Sequence, residues 1–252
     1  MKICVLSSGS KGNTTYVESD ESKLLIDIGN TCKYVTQKLK EIEVDAGSLD
    51  WILISHTHKD HIGGLKVFLK RNNIPVYLTR GMLEELDYVD NYVLIDDKDF
   101  NVGDIRVECV KTSHDAVDSR GFILHDDHSS MVQITDTGYI NQSYYKKLSN
   151  KDLYIMESNH DIEMLTTGPY PYHLKHRIYS DKGHLSNYDA SRYISLFIGD
   201  KTKYVLLAHL SEKNNTKELA YKELIKKLEQ DKKHVENIIV ASQDEITEFI
   251  EI

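Results

Sequence analysis

The sequence predicts a mixed α/β fold with sheets on the inside and helices on the outside. Short apolar runs of strand type recur along the chain, and several are apolar throughout, as is typical of strands covered on both faces. Other segments show a helical spacing of apolar residues, and no repeat of fixed period is present. A length of 252 residues suits a single domain over residues 1–252, because a chain of roughly 250 residues can still share one hydrophobic core.

The strand predictions rest on runs rich in β-branched, aromatic and other apolar residues that are bounded by polar or turn residues. The predicted strands are Lys2–Ser7, Thr15–Glu18, Lys23–Asp27, Trp51–Ser55, Val76–Thr79, Tyr92–Ile95, Ile105–Lys111, Phe122–His125, Met131–Thr135, Leu153–Glu157, Lys203–Ala208 and Val235–Val240.

The clearest predicted helix covers residues 187–198, where apolar residues recur at i, i+3, i+4, i+7 and i+8 from Ala190. Ser186 and Asp189 resemble a capping box at its beginning. The segment Thr166–Gly183 contains two of the three prolines and is predicted to be a long ordered loop. Further helices are predicted from weaker or shorter patterns at Ala220–Leu228, Lys33–Glu43 and Ile62–Lys70.

Composition excludes several classes of protein. The mean hydropathy is −0.44 and no apolar run reaches about 18 residues, so no membrane span is expected. The apolar stretch at the start is too short for a secretory signal, and the three cysteines are scattered, which predicts reduced thiols in a cytoplasmic protein. A formal net charge of −9 counts against broad affinity for nucleic acids.

The strongest chemical signal is the sequence His-Thr-His-Lys-Asp-His, which follows the strand predicted at Trp51–Ser55. In extended backbone the side chains of His56 and His58 share one face, so both can bind the same ion. A turn into a helix then brings Asp60 and His61 to a neighbouring position. Imidazole and carboxylate groups in such a cluster predict a site for zinc or a similar divalent ion.

Three more candidate ligands follow apolar strands. His114, Asp136 and His209 come after the strands predicted at residues 105–111, 131–135 and 203–208. Any one of them alone is more typical of a capping aspartate or a hydrogen-bonded loop histidine than of a metal ligand. Because all three emerge at the carboxyl ends of strands, as the first cluster does, the sequence predicts that they complete a site for two ions.

In combination, these motifs resemble the metallo-β-lactamase superfamily over nearly the whole chain. Ser7–Asn13, Glu157–Asp161 and Gly183–Asn187 are similar to the YycJ (WalJ) branch, which is related to phosphodiesterases and nucleases. The resemblance implies an αββα sandwich, with two mixed sheets flanked by helices and a dinuclear metal site. It assigns His56, His58 and His114 to the first ion and Asp60, His61 and His209 to the second, with Asp136 between them. The true β-lactamases carry a cysteine ligand in place of Asp136, so antibiotic hydrolysis is not expected.

A pair of divalent ions, zinc first and manganese or iron as alternatives, can generate hydroxide at neutral pH. The expected reaction is attack of that hydroxide on phosphorus, with Asp60 orienting the water or accepting its proton. The resemblance gives His184 the role of general acid, and its place before a helix N-terminus suits an anionic substrate. A histidine hydrogen-bonded to backbone is the alternative for His184. Hydrolysis of carboxyl esters, lactones or thioesters, as in glyoxalase-like relatives, is the alternative reaction, and a non-catalytic binding protein is a third.

Nucleic acid, either DNA or RNA, is the predicted substrate, and it is expected to be trimmed from an end as by an exonuclease. Basic residues of the 166–183 segment are candidates for phosphate contacts, although plain loop packing is equally consistent with that segment. Asn13 either contacts substrate or closes a tight turn. His160 either contacts substrate or lies behind the metal ligands. Ser211 either binds phosphate or caps a turn. The predicted substrate-binding residues are Asn13, His160, Lys175, His176, Arg177, Lys182 and Ser211.

Overall fold

A computed structural model describes residues 1–252 and contains fourteen strands and nine α-helices. The strands are β1 (Lys2–Ser7), β2 (Thr14–Glu18), β3 (Lys23–Ile26), β4 (Trp51–Leu53), β5 (Val76–Leu78), β6 (Tyr92–Leu94), β7 (Phe100–Val102), β8 (Ile105–Lys111), β9 (Arg120–His125), β10 (Ser130–Ile134), β11 (Leu153–Glu157), β12 (Tyr204–Ala208), β13 (Asn237–Val240) and β14 (Ile250–Glu251). The helices are α1 (Cys32–Glu41), α2 (Lys59–Ile62), α3 (Leu65–Leu69), α4 (Arg80–Glu85), α5 (Tyr145–Leu148), α6 (Ile162–Thr167), α7 (Tyr172–Tyr179), α8 (Asn187–Phe197) and α9 (Lys217–Gln230).

The chain forms two compact units, and the first comprises residues 1–111, 116–128 and 242–251. Its seven-stranded sheet has the order β14-β1-β2-β3-β4-β5-β6, antiparallel from β14 to β3 and parallel from β3 to β6. Val35 and Leu39 of α1 and Phe68 of α3 are buried in the same core as Leu25 and Ile52 of the sheet. Strands β7, β8 and β9 pair antiparallel in the same unit.

The second unit comprises residues 112–115 and 129–241, together with Ile252. Strands β10, β11, β12 and β13 pair parallel in that order. Helices α8 and α9 pack against each other, and they also contact β11 and β13 respectively. The hydroxyl of Ser186 accepts a hydrogen bond from the amide of Asp189, so α8 begins with the predicted cap.

The predicted fold class, two mixed sheets flanked by helices, is confirmed. The three cysteines are free and buried. None of the helices has the length and apolar character required to cross a membrane. Assignment of residues 1–252 to one domain stays a prediction.

The prediction of a long loop over Thr166–Gly183 is wrong, because α7 lies within it. Pro171 precedes the helix as its cap, with a φ of −65° that suits this position, so the proline marks the beginning of the helix instead of interrupting it. Ile178 faces inward and is buried. The distribution of apolar residues also did not predict β7, which is short and partly exposed, or the two-residue strand β14.

Candidate metal centre

In the first unit, the histidine cluster lies in the loop after β4 and in the short helix α2. The ring of His56 is centred 4.9 Å from that of His58 and 4.0 Å from that of His61. The Nε2 atom of His61 is 3.7 Å from a carboxylate oxygen of Asp60. The predicted ligands of this motif are therefore close together, with His56 and His61 buried.

A buried carboxylate, Asp27, organises these imidazoles. Its Oδ2 atom lies 2.7 Å from His61 Nδ1 and also accepts a hydrogen bond from the hydroxyl of Ser55 at 2.7 Å. The Ser55 hydroxyl in turn lies 3.0 Å from Nδ1 of His56. Because each Nδ1 proton is directed at one of these oxygens, the lone pair of each ring lies on Nε2, the nitrogen through which the ring would bind a metal.

Residues at three strand ends have left-handed backbone conformations, which are unfavourable for every residue except glycine. Asp27 follows β3 with φ 62°, Asp136 follows β10 with φ 56°, and His209 follows β12 with φ 56°. Backbone strain of this kind is concentrated at functional sites, where it holds side chains in a required direction.

Replacing Asp27 by asparagine is expected to lower zinc affinity about 10–100-fold. The asparagine NH₂ group would donate to Nδ1 of His61, which moves the ring proton to Nε2 and removes the lone pair for the metal. Zinc titration by calorimetry would measure the change, with Asp50→Asn as the matched control, since exposed Asp50 accepts only the Lys23 amide among the bonds described. Unchanged affinity in a folded Asp27→Asn protein would contradict the organising role.

In the second unit, the candidate ligands are grouped around Asp136. Its Oδ1 atom lies 3.8 Å from Nε2 of His114, 3.5 Å from Nδ1 of His209 and 3.7 Å from Nδ1 of His184. Asp136, His114 and His209 are buried. Nδ1 of His114 lies 3.1 Å from the carbonyl oxygen of Gly183, so donation there again places the lone pair of the ring on Nε2.

Glu157, at the end of β11, is the second organising carboxylate and is completely buried. Its Oε1 atom is 2.7 Å from Nδ1 of His184 and 2.9 Å from Nδ1 of His209. Its Oε2 atom accepts hydrogen bonds from the amides of Thr137 and Leu185, both at 3.1 Å. Burial alone would raise the pKa of Glu157, but the charge of His184 and the hydrogen bonds from His184 and His209 outweigh it and lower the pKa to about 2.

The donor set of each unit fits a divalent metal ion. Buried imidazoles whose Nδ1 atoms face protein oxygens, together with carboxylates, are the groups that zinc, manganese and iron bind. In the second unit the ligand atoms of Asp136, Glu157, His184 and His209 all lie within 4.8 Å of one another. His184 is thus close enough to the candidate ligands that it could bind metal or act beside it.

Comparison with known proteins identifies the family. The model of the β-lactamase superfamily domain matches residues 23–209. The chain belongs to the metallo-β-lactamase superfamily. It is 38% identical over 227 residues to exodeoxyribonuclease YycJ of Bacillus anthracis, covering 87% of this chain and 86% of that protein. Exodeoxyribonuclease WalJ of Streptococcus pneumoniae is 38% identical over 238 residues, covering 91% and 88%.

A solved structure shares the fold of this chain. The metallo-β-lactamase fold protein YhfI of Bacillus subtilis aligns with a TM-score of 0.75 over 98% of this chain and 99% of its own, at 18% identity. At that identity the match shows the fold.

Three predicted substrate residues are buried in this member of the superfamily. The side-chain NH₂ of Asn13 lies 3.1 Å from the Gly9 carbonyl oxygen, so Asn13 closes the turn. The same nitrogen lies 3.0 Å from His61 Nε2, within hydrogen-bond distance of the lone pair of that ring. Ser211 accepts from the amide of Asn214, as the capping alternative predicts. Neither ring nitrogen of His160 has a hydrogen-bond partner, and burial lowers the pKa of this histidine to about 4.

The predicted basic contacts lie on and after α7. Arg177 forms a bidentate pair with Asp115 at 2.6 and 3.0 Å, and Lys175 donates to the carbonyl of Thr166 at 2.7 Å. His176 and Lys182 are exposed. Two of the four side chains are therefore already engaged within the protein.

Sequence reasoning did not identify Asp27 and Glu157 as functional residues. Both are acids at the carboxyl end of an apolar strand, which is the signal that identified Asp136. That rule, applied to every strand, would have included them.

Proposed function

We propose that this chain is a metal-dependent exodeoxyribonuclease, a phosphodiesterase that removes nucleotides from the end of DNA. The observation that carries the proposal is its 38% identity to two proteins named as exodeoxyribonucleases, each covering most of both chains. The buried His and Asp donors of the two units support a metal-dependent hydrolase. Residues 1–252 act as one hydrolase domain in this proposal, and the three free, buried cysteines support a cytoplasmic location.

The proposed cofactor is a pair of divalent ions, zinc first and manganese or iron as alternatives. When bound, such ions activate water and stabilise negative charge on the phosphate oxygens. Asp60, which is partly exposed beside buried His61, is the residue that we assign to orient the attacking water and to accept its proton. The proposed ligands are His56, His58, Asp60, His61, His114, Asp136 and His209.

His184 is the proposed general acid. Its side chain is 13% exposed, and Nδ1 is held by the buried carboxylate of Glu157 at 2.7 Å. With Nδ1 engaged by Glu157, Nε2 is the ring nitrogen that gives its proton to the leaving oxygen in this proposal. The N-terminus of α8, two residues beyond, favours an anionic substrate near this ring.

A substrate panel tests the proposed function. Metal-loaded protein is expected to hydrolyse bis-p-nitrophenyl phosphate and to shorten end-labelled DNA progressively, and a chelator should abolish both activities. Labelled RNA and a thioester are included for comparison. Turnover of the thioester alone would select the carboxyl-ester alternative, and metal-loaded protein inactive on every substrate would contradict a hydrolase.

A further inference from the structure

A pocket of about 400 Å³ lies in the first unit, beside the candidate metal ligands. Asp60 forms part of its wall and is the one acidic lining residue. Two lysines from separate segments, Lys11 and Lys59, also line it. The remaining wall is polar or glycine: Ser10, Gly29, Asn30, Thr31 and Gly63.

The walls of this pocket are held by backbone hydrogen bonds between three chain segments. The Asn13 amide donates to the Asp60 carbonyl at 2.7 Å, and the Gly29 amide donates to the Asn13 carbonyl at 3.0 Å. A Cβ atom on Gly29 would lie 1.7 Å from that Asp60 oxygen, so only glycine permits the approach. The pocket is therefore preformed and fixed relative to Asp60.

Positive charge reaches the pocket from several directions, although the chain as a whole carries −9. Lys59 is exposed, and Lys11 lies 3.5 Å from Asp244 with both side chains more than half exposed, a pairing that holds the lysine only weakly. Thr31 is the N-cap of α1, so the positive end of this ten-residue helix adjoins the wall. Two lysines, hydroxyl and amide groups and a helix N-terminus in one cavity suit a phosphate group.

We propose that this pocket binds a second phosphate group of the DNA substrate, beside the phosphate that is cleaved. The inference rests on the proposed function and adds to it a site that positions the strand. The phosphate is either the next internal phosphodiester or a terminal phosphate, since the two offer the same oxygens to the lysines.

The test is the double variant Lys11→Ala/Lys59→Ala. KM for a labelled DNA oligonucleotide is expected to rise at least about tenfold. Bis-p-nitrophenyl phosphate has no second phosphate, so the fold loss in its kcat/KM should be at least about tenfold smaller than the fold loss in kcat/KM for DNA. The dependence of log Kd on log salt for single-stranded DNA should flatten by about 1.4, or 0.7 for each lysine. Lys11→Arg/Lys59→Arg should restore most of the affinity, and the exposed pair Lys40→Ala/Lys70→Ala is the control.

Modified oligonucleotides distinguish the two sources of the phosphate in the wild-type protein. A neutral methylphosphonate next to the scissile linkage should raise KM if the internal phosphate is bound, and removal of the end phosphate should raise it if the terminal one is bound. If neither modification raises KM, or if the double variant behaves like the control on DNA that the wild type cleaves, the pocket proposal is overturned. Wild-type protein that hydrolyses only a thioester would instead overturn the proposed function.

Discussion

Replacing His184 by alanine is expected to lower DNA hydrolysis by about a hundredfold or more while the metal content stays at the wild-type level. In the proposed mechanism the ring gives the proton that the departing sugar oxygen needs, and alanine offers none. p-Nitrophenolate is a much better leaving group than an alkoxide, so bis-p-nitrophenyl phosphate should lose distinctly less activity than DNA. Single-turnover kinetics on both substrates, with metal analysis of the same samples, would measure the difference.

The matched control is His234→Ala, because His234 is an exposed histidine of the same unit. It should retain wild-type activity on both substrates. Two results would contradict the general-acid role of His184: equal losses on DNA and on the aryl ester, or loss of metal together with activity. The second would make His184 a ligand, in the group that it forms with Asp136, Glu157 and His209.

The fold was predictable wherever burial imposes a pattern on the sequence. Strands such as β11 and β12 are apolar on both faces, and α8 has both a cap and a helical spacing. The short strand β14 is formed by pairing with β1, at the opposite end of the chain, so its two residues carry no local pattern. Helix α7 was not predicted because prolines near its beginning are typical of loops.

The candidate site was predictable where ligands are close in sequence or follow strands, as His56 to His61 and Asp136 do. Hydrogen-bond partners that are distant in sequence could not be derived in this way. Asp27 meets His61 across 34 positions, and the pairing of Arg177 with Asp115 spans 62. Such pairs depend on how loops pack in three dimensions, and they decide which side chains remain available to substrate.

Replacing Glu157 by glutamine is expected to lower the free energy of unfolding by about 2–6 kcal/mol, because two buried N–H donors lose their acceptor at about 1–3 kcal/mol each. The carboxylate accepts from four N–H groups, two on each oxygen, and it is completely buried. Glutamine has one oxygen, and its NH₂ group would face either the two imidazole donors or the amides of Thr137 and Leu185. Urea denaturation of the metal-free protein would measure the loss.

The same substitution should disturb chemistry as well as stability. In the orientation that presents NH₂ to the histidines, the proton of His209 moves to Nε2, which removes the lone pair for a metal, and His184 loses the acceptor of its Nδ1 proton. Glu108→Gln is the matched control: buried Glu108 accepts from Arg106 and His125 on one oxygen, which glutamine can retain, so a loss below about 1 kcal/mol is expected. If Glu157→Gln were as stable as that control and bound zinc with wild-type affinity, Glu157 would not be the group that holds the two histidines in place.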